Sequence, residues 1–178
     1  MRIISGTHKG RKIKAPKKLP VRPTTDMAKE ALFNILNNTF YFDEIKVLDL
    51  YSGTGNISYE FASRGCEKIT AVDKNSGCIK FINSITDTLE LPITTIKSDV
   101  INYLENSIQK YNIIFADPPY NFTQNQFESI PELVFKNQLL EEDGILIIEH
   151  SPQTKLQHLS HFKYSKKYGS NMFSFFEN

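Results

Sequence analysis

The sequence predicts an α/β fold, a doubly wound and mostly parallel sheet under helices, and three observations predict it. Five short apolar runs without polar alternation, residues 47–50, 69–72, 93–96, 113–116 and 145–148, have the pattern of strands buried on both faces. Segments of helical period lie between them, near residues 57–64, 78–89, 100–108 and 127–135. A chain of 178 residues, 40% hydrophobic and 23% charged, is large enough to bury one core without disulfides or metal, which excludes disorder as the main state.

The elements follow in order. Two alternating stretches, Arg2 to Gly6 and Lys9 to Ile13, are separated by a Gly-containing turn and ended by Pro16 and Pro20, which reads as a small basic β-hairpin. Thr24, Thr25 and Asp26 are N-cap candidates for a first helix whose Met27, Ala28, Ala31, Leu32, Ile35 and Leu36 recur at helical spacing. The strand and helix alternation fills the middle, with Gly65 stopping the helix near residues 57–64. Residues 162–168 and 172–176 close the chain as two strands joined by Gly169, Ser170 and Asn171.

Charge divides the chain. The first 22 residues hold eight basic residues (Arg2, Lys9, Arg11, Lys12, Lys14, Lys17, Lys18, Arg22) and no acid, so the other 156 carry a net −7 against a total of +1. The domain reading is therefore a basic extension over residues 1–22 and a catalytic-type α/β domain over 23–178. Such an arm suits nucleic-acid phosphates; a solvated charged terminus is the plain alternative, against which the alternation of Ile3, Ile4 and Ile13 argues. No apolar run is long enough to span a membrane and no signal-type segment follows the basic start, which predicts a cytoplasmic protein, with a monomer as the default. Cys66 and Cys78 show no zinc spacing, so unpaired thiols and no metal site are expected.

Three constellations carry chemistry. A strand ending Val47-Leu48-Asp49-Leu50 runs into Tyr51-Ser52-Gly53-Thr54-Gly55-Asn56 and a helix, the arrangement of nucleotide-type cofactor sites; Ser58 stands where a pyrophosphate-binding turn wants a third glycine. Asp73 ends the second strand, where a carboxylate accepts both ribose hydroxyls, and Asp99 ends the third, where it can receive an adenine amine; helix capping is the structural alternative for both. The fourth strand ends Ala116-Asp117-Pro118-Pro119-Tyr120. Its prolines stiffen the turn, Asp117 and a carbonyl near Pro118 can accept the two hydrogens of an exocyclic amine, and Tyr120 can stack on an extruded base.

In this order the Gly-x-Gly turn, Asp73 and Asp117 to Tyr120 look like a class I S-adenosylmethionine-dependent methyltransferase acting on an amino nitrogen. More narrowly, the chain resembles the RsmD family, bacterial enzymes that methylate N2 of a guanine in 16S rRNA. The matching stretches are Arg2 to Gly6 with Gly10-Arg11-Lys12, Arg22 to Asp26, the cofactor turn, Asp117 to Tyr120 and Leu146 to Glu149. The chain departs from the family at Ile57 to Glu60, where a further glycine and a Gly-Leu-Glu run are frequent, and at Val72, where an acid is frequent.

The resemblance implies a Rossmann-like, mostly parallel seven-stranded sheet and S-adenosylmethionine as cofactor. It places Asp49, Ser52, Gly53, Thr54 and Gly55 at the methionine end, Asp73 at the ribose and Asp99 at the adenine. Asp117, Pro118, Pro119 and Tyr120 would hold the guanine, and Arg2, Lys9, Arg11, Lys12 and Arg22 would meet RNA of the small ribosomal subunit or an assembly intermediate. The reaction implied is displacement at the sulfonium methyl by guanine N2, the proton passing to Asp117 or water. Rival readings are an NAD dehydrogenase, disfavoured by Ser58 and the Asp-Pro-Pro-Tyr turn; a DNA adenine-N6 methyltransferase, disfavoured by the lack of a separate sequence-reading segment; and a non-catalytic RNA-binding module. Glu149 and His150 read as a satisfied surface pair without a catalytic role.

Overall fold

All seven expected strands form one sheet in the computed structural model, which describes residues 1–16, 18, 19 and 24–178. Chain order is α1 (Asp26–Leu36), β1 (Lys46–Leu50), α2 (Asn56–Ser63), β2 (Lys68–Asp73), α3 (Ser76–Leu89), β3 (Ile93–Lys97), α4 (Val100–Asn106), β4 (Tyr111–Ala116), α5 (Gln124–Lys136), β5 (Leu140–His150), β6 (Phe162–Tyr168) and β7 (Asn171–Glu177), with a 3₁₀ turn at Phe42–Glu44 before β1. The strand order is β3-β2-β1-β4-β5-β7-β6, parallel from β3 to β5, with β7 antiparallel to both of its neighbours. Order reverses between β1 and β4, and the crevice above their carboxyl ends is where an open α/β sheet holds ligands.

Four of the five apolar runs became central strands because both of their faces are covered, whereas residues 93–96, expected to be buried on both faces, form the edge strand β3, where only Ile93 is buried because its flanking Thr94 and Thr95 are polar and no further strand covers that side. Val47, Ile113 and Ile147 pack with Leu32 and Phe33 of α1 and Phe61 of α2; Leu48, Ile114 and Ile148 pack on the other face with Leu104 of α4 and Ile130 of α5. Caps set the helix starts: Thr25 accepts from Ala28 N–H, Asn75 from Gly77 and Cys78, and Thr123 forms a reciprocal capping box with Gln126.

Some boundaries differ from the expectation for identifiable reasons. α5 starts three residues earlier than expected, on the polar Gln124-Asn125-Gln126 that carries no apolar period. β5 starts at Leu140, its acidic Glu141 to Asp143 masking the strand; Leu140 pairs with Tyr111 before a register irregularity. Asn171, expected in the final turn, is the first residue of β7.

The basic start forms no named strand. Among its described residues it makes one antiparallel bridge, Arg2 to Lys12, with Ile3 N–H donating to Arg11 and Gly10 N–H to Ile3. Ile3 and Ile13 are buried in the α1–α2 core, and the Ile4 and Ser5 amides donate to the buried Glu60 carboxylate at 2.9 and 3.0 Å. Gly6 lies so close to α2 that a Cβ there would stand 1.7 Å from Ser63 O.

Candidate functional site

Loops following β1, β2, β3 and β4 converge on a cleft of about 680 Å3 above the β1–β4 crevice. Asp49, Ser52, Gly53, Thr54, Asp73, Asp99, Asp117, Pro118, Pro119 and Tyr120 all line it, so the structure brings together every expected cofactor and substrate residue except Gly55. Gly55 stands behind the wall. Its φ of +82° starts α2 in a left-handed conformation, and a Cβ there would meet the Tyr59 ring at 2.8 Å.

Asp49 is the most perturbed carboxylate described. It is buried at the end of β1, accepts from Ser58 N–H (3.1 Å) and Ser58 Oγ (2.5 Å), and burial pushes its pKa up to about 7 against the opposing pull of those bonds. The expected third-glycine position is thus occupied by the serine that holds Asp49. Asp73 accepts from Gly53 N–H (2.9 Å) and Asn75 N–H (2.7 Å), fastening the glycine turn to the end of β2, while Asn75 itself caps α3. Asp99 caps α4 through the Ile101 and Asn102 amides and also faces the cleft.

This donor and acceptor set fits S-adenosylmethionine. A buried carboxylate near neutrality suits an ammonium, a carboxylate at the second strand end suits ribose hydroxyls, and Tyr51 Oη and Ser52 Oγ are buried without hydrogen-bond partners among the described residues. Cys78 also lines the cleft, its thiol pushed up to about 11 by burial. Cys66 is likewise buried and unpaired in a disulfide, and among the described residues no cluster of three or more His, Cys, Asp or Glu could hold a metal ion.

Opposite these residues lies the turn after β4. Asp117 N–H reaches back to Leu50 O at 3.4 Å, Pro118 is buried, and Phe122 N–H closes the turn on Pro119 O at 3.0 Å. Phe122 packs edge-on against Tyr51 (5.6 Å between centroids), joining this turn to the one after β1. Tyr120 is 50% exposed at the rim, and its hydroxyl donates to Asn171 Oδ1 at 3.4 Å.

A buried polar relay behind Tyr120 corrects two expectations. Glu149 is not a surface residue: at 2% exposure it accepts from Thr24 Oγ1 (2.8 Å) and from Asn171 Nδ2. His150, also 2% exposed, bonds Ser174 Oγ (2.7 Å) and Ser151 O (2.8 Å), and burial lowers its pKa. Thr24 therefore bonds Glu149, and Thr25 alone caps α1. The relay continues from Thr24 O to Asn56 Nδ2 (3.0 Å) and from Asn56 Oδ1 to Lys29 Nζ (2.9 Å). Lys29 pairs with Glu60 at 3.1 Å, both fully buried, and desolvation lowers the lysine pKa against the pull of that carboxylate. Glu149 closes an apolar strand on the cleft side of the sheet; that position was the available sequence signal for it.

Of the expected RNA-contacting residues, Arg2, Lys9, Arg11 and Lys12 are exposed, Arg2 also pairing with Asp26 at 3.1 Å, while Arg22 lies outside the described residues. Among the described residues no helix is long and apolar enough to cross a membrane.

The family model described as Conserved hypothetical protein 95 matches residues 1–177. YlbH of Bacillus subtilis, provisionally named an rRNA methyltransferase, is 36% identical over 161 residues, 88% of this chain and 85% of the relative. Ribosomal RNA small subunit methyltransferase D of Buchnera aphidicola (subspecies Baizongia pistaciae) is 31% identical over 153 residues, covering 84% of this chain and 75% of its own. Among solved structures, one from Escherichia coli described provisionally as the methyltransferase yhhF superposes with a TM-score of 0.86 over 100% of this chain and 98% of the other; at 23% identity it establishes the shared fold.

Proposed function

This chain belongs to the RsmD family of S-adenosylmethionine-dependent methyltransferases, and from that premise we propose that it methylates the exocyclic N2 amine of a guanine in 16S rRNA of the small ribosomal subunit. The observation that carries the reading is the placement of Asp117 to Tyr120 across one cleft from Asp49, the glycine turn and Asp73.

When bound, the cofactor supplies a methyl group on a sulfonium centre, an electrophile within the reach of a neutral amine. Asp49 meets the charged methionine end, Asp73 the ribose and Asp99 the adenine side. The residues after β4 prepare the acceptor. A guanine amine is a weak nucleophile because its lone pair is delocalised into the base. Asp117 and the Pro118 carbonyl accept its two hydrogens, which localises the pair on nitrogen and aims it. Tyr120 supplies an exposed ring for the extruded base, and the proton released on N–C bond formation leaves through Asp117 or water. The exposed Arg2, Lys9, Arg11 and Lys12, with Arg22, contact RNA phosphates, residues 1–22 serving as the binding extension of the catalytic domain over 23–178. A cytoplasmic monomer completes the reading.

The test is transfer of labelled methyl to unmodified small subunits, to free 16S rRNA and to duplex DNA, with nucleoside analysis of the products. N2-methylguanosine in ribosomal material supports the proposal, and the better acceptor tells whether assembled shape is read. N6-methyladenine in DNA replaces the substrate assignment, and cofactor binding without transfer to any acceptor overturns it.

A further inference from the structure

The chain holds a second basic region that the amino-terminal arm does not account for. Residues 150–176 contain Lys155, Lys163, Lys166 and Lys167 and no acid, within a body that is otherwise strongly acidic. Three of the four lie on β6, one of the two edge strands of the sheet. Lysine on an edge strand has an ordinary purpose, deterring strand pairing between copies. Placement of this strand points further.

β6 leads to the mouth of the cleft. The turn after it reaches Asn171, which accepts from Tyr120 Oη, and a Cβ at Gly169 would stand 3.6 Å from Met27 Cε on α1. Met27 and Tyr120 are both exposed at this rim, at 62% and 50%. Lys166 lies over the Tyr164 ring (5.7 Å), and Tyr164 and Tyr168 pack on the core face that α1 covers. The other flank of α1 holds the amino-terminal segment, through Lys29 to Arg2 O (2.7 Å) and Arg2 to Asp26 (3.1 Å). α1 is thus bordered by two basic segments, and its own unburied acids are Asp26, paired with Arg2, and Glu30. Lys163 is drawn to Glu177 at 3.7 Å, whereas among the described residues Lys166 and Lys167 have no ion pair and are exposed.

We propose that the β6 edge, through Lys166 and Lys167, is a second RNA-backbone contact, so that the substrate strand is held on both sides of the cleft mouth and the target base enters between them. Charge complementarity selects the occupant: Lys166, on the face it shares with Tyr164, and Lys167, on the opposite face, straddle the strand edge with no ion pair among the described residues, which suits the phosphates of a polyanion passing along that edge and opposes its pairing with a second copy of the chain. The proposal rests on the RNA reading given above.

The experiment compares the full chain with Lys166→Ala/Lys167→Ala, with Arg11→Ala/Lys12→Ala as reference and Lys110→Ala, at the opposite end of the sheet, as control. RNA affinity is measured against salt on a 16S rRNA fragment, alongside S-adenosylmethionine affinity and Tm. Loss of two phosphate contacts lowers the slope of log affinity against log salt by about 1.4 on single-stranded RNA. The expected result is that loss for the β6 pair, with cofactor affinity and Tm unchanged and Lys110→Ala at wild type. A wild-type slope in the β6 pair beside a reduced one in Arg11→Ala/Lys12→Ala overturns the second contact and leaves the RNA reading standing. A wild-type chain that neither binds RNA nor methylates it overturns both, and a concentration-dependent dimer formed through β6 overturns the proposal in favour of strand pairing.

Discussion

The two walls of the cleft are built in different ways. Asp49, the glycine turn, Asp73 and Asp99 come from consecutive strand ends within about fifty residues, and each carboxylate is tied to a nearby backbone amide or hydroxyl. The facing turn, Asp117 to Tyr120, is backed by a relay assembled from distant pieces. Thr24 and Glu149 are 125 residues apart in sequence, and Tyr120 and Asn171 are 51. The first wall is a local product of strand, turn and helix; the second begins as an equally local turn, but the relay behind its Tyr120 is complete only when Thr24 and β7 have both docked. Damage to the first should therefore weaken cofactor binding, and damage to the second should slow transfer while cofactor still binds.

The sharpest way to break that division is Asp117→Ala. Turnover should fall about 10²- to 10³-fold, the scale of removing one aligned acceptor in a water-poor site, with S-adenosylmethionine affinity within a few-fold of wild type. Equal losses in both, read by single-turnover transfer and calorimetry, would make Asp117 a structural residue of the shared crevice.

Asp73→Ala probes the opposite wall. It removes the proposed ribose acceptor and frees the Gly53 and Asn75 amides, so cofactor affinity should drop about 10- to 100-fold, the equivalent of a lost charged hydrogen bond, while saturated turnover is largely kept.

Glu149→Ala tests whether the relay positions Tyr120. A displaced Asn171 should lower kcat about tenfold without changing cofactor Kd, and Glu149→Gln, which keeps an acceptor for Thr24, should recover part of it. A Tm loss with kcat unchanged would confine Glu149 to stability.

The smallest effect is one of pH. Asp49 titrates near 7 in the free protein, so a cationic methionine end must draw off its proton, and affinity should rise with pH by at most about tenfold per unit up to about pH 7 and then level. Asp49→Asn should flatten the profile. The sign for stability is the reverse. The folded chain keeps a proton that the unfolded chain loses near pH 4, so this group's contribution falls as pH rises from about 4 to 7. Asp49→Asn should accordingly raise Tm above neutrality.

The division also explains what could be read from the sequence. The central strands, and the strand-end residues that meet at the cleft, were legible because burial on both faces writes an unbroken apolar run and because Ser52 to Thr54 and Asp73 sit at fixed offsets from strand ends. Glu149 and His150 were misread because a polar pair at a strand end looks the same whether it meets water or Thr24, Asn171 and Ser174. The Lys29–Glu60 pair escaped notice for a related reason. Both side chains lie at helical spacings that suit a solvated face, and residues 2–5, with Asn56 and Arg64, close over them. The alternation of Ile3 and Ile13 marks a short antiparallel pairing, in which Ile13 N–H donates to Met1 O, Ile3 N–H to Arg11 O and Gly10 N–H to Ile3 O, too brief to make a named strand, while both isoleucines face the core.

The position of Asn171 in the chain has a temporal consequence. A polypeptide is made from its amino terminus, and every side chain of the cofactor wall has been synthesised by Asp99, whereas the support of Tyr120 waits for β7. The newborn protein should acquire the capacity to hold its cofactor before the capacity to spend it. Chains arrested during synthesis before and after residues 171–177, assayed for retention of radiolabelled S-adenosylmethionine and for methyl transfer, should gain the first capacity before the second.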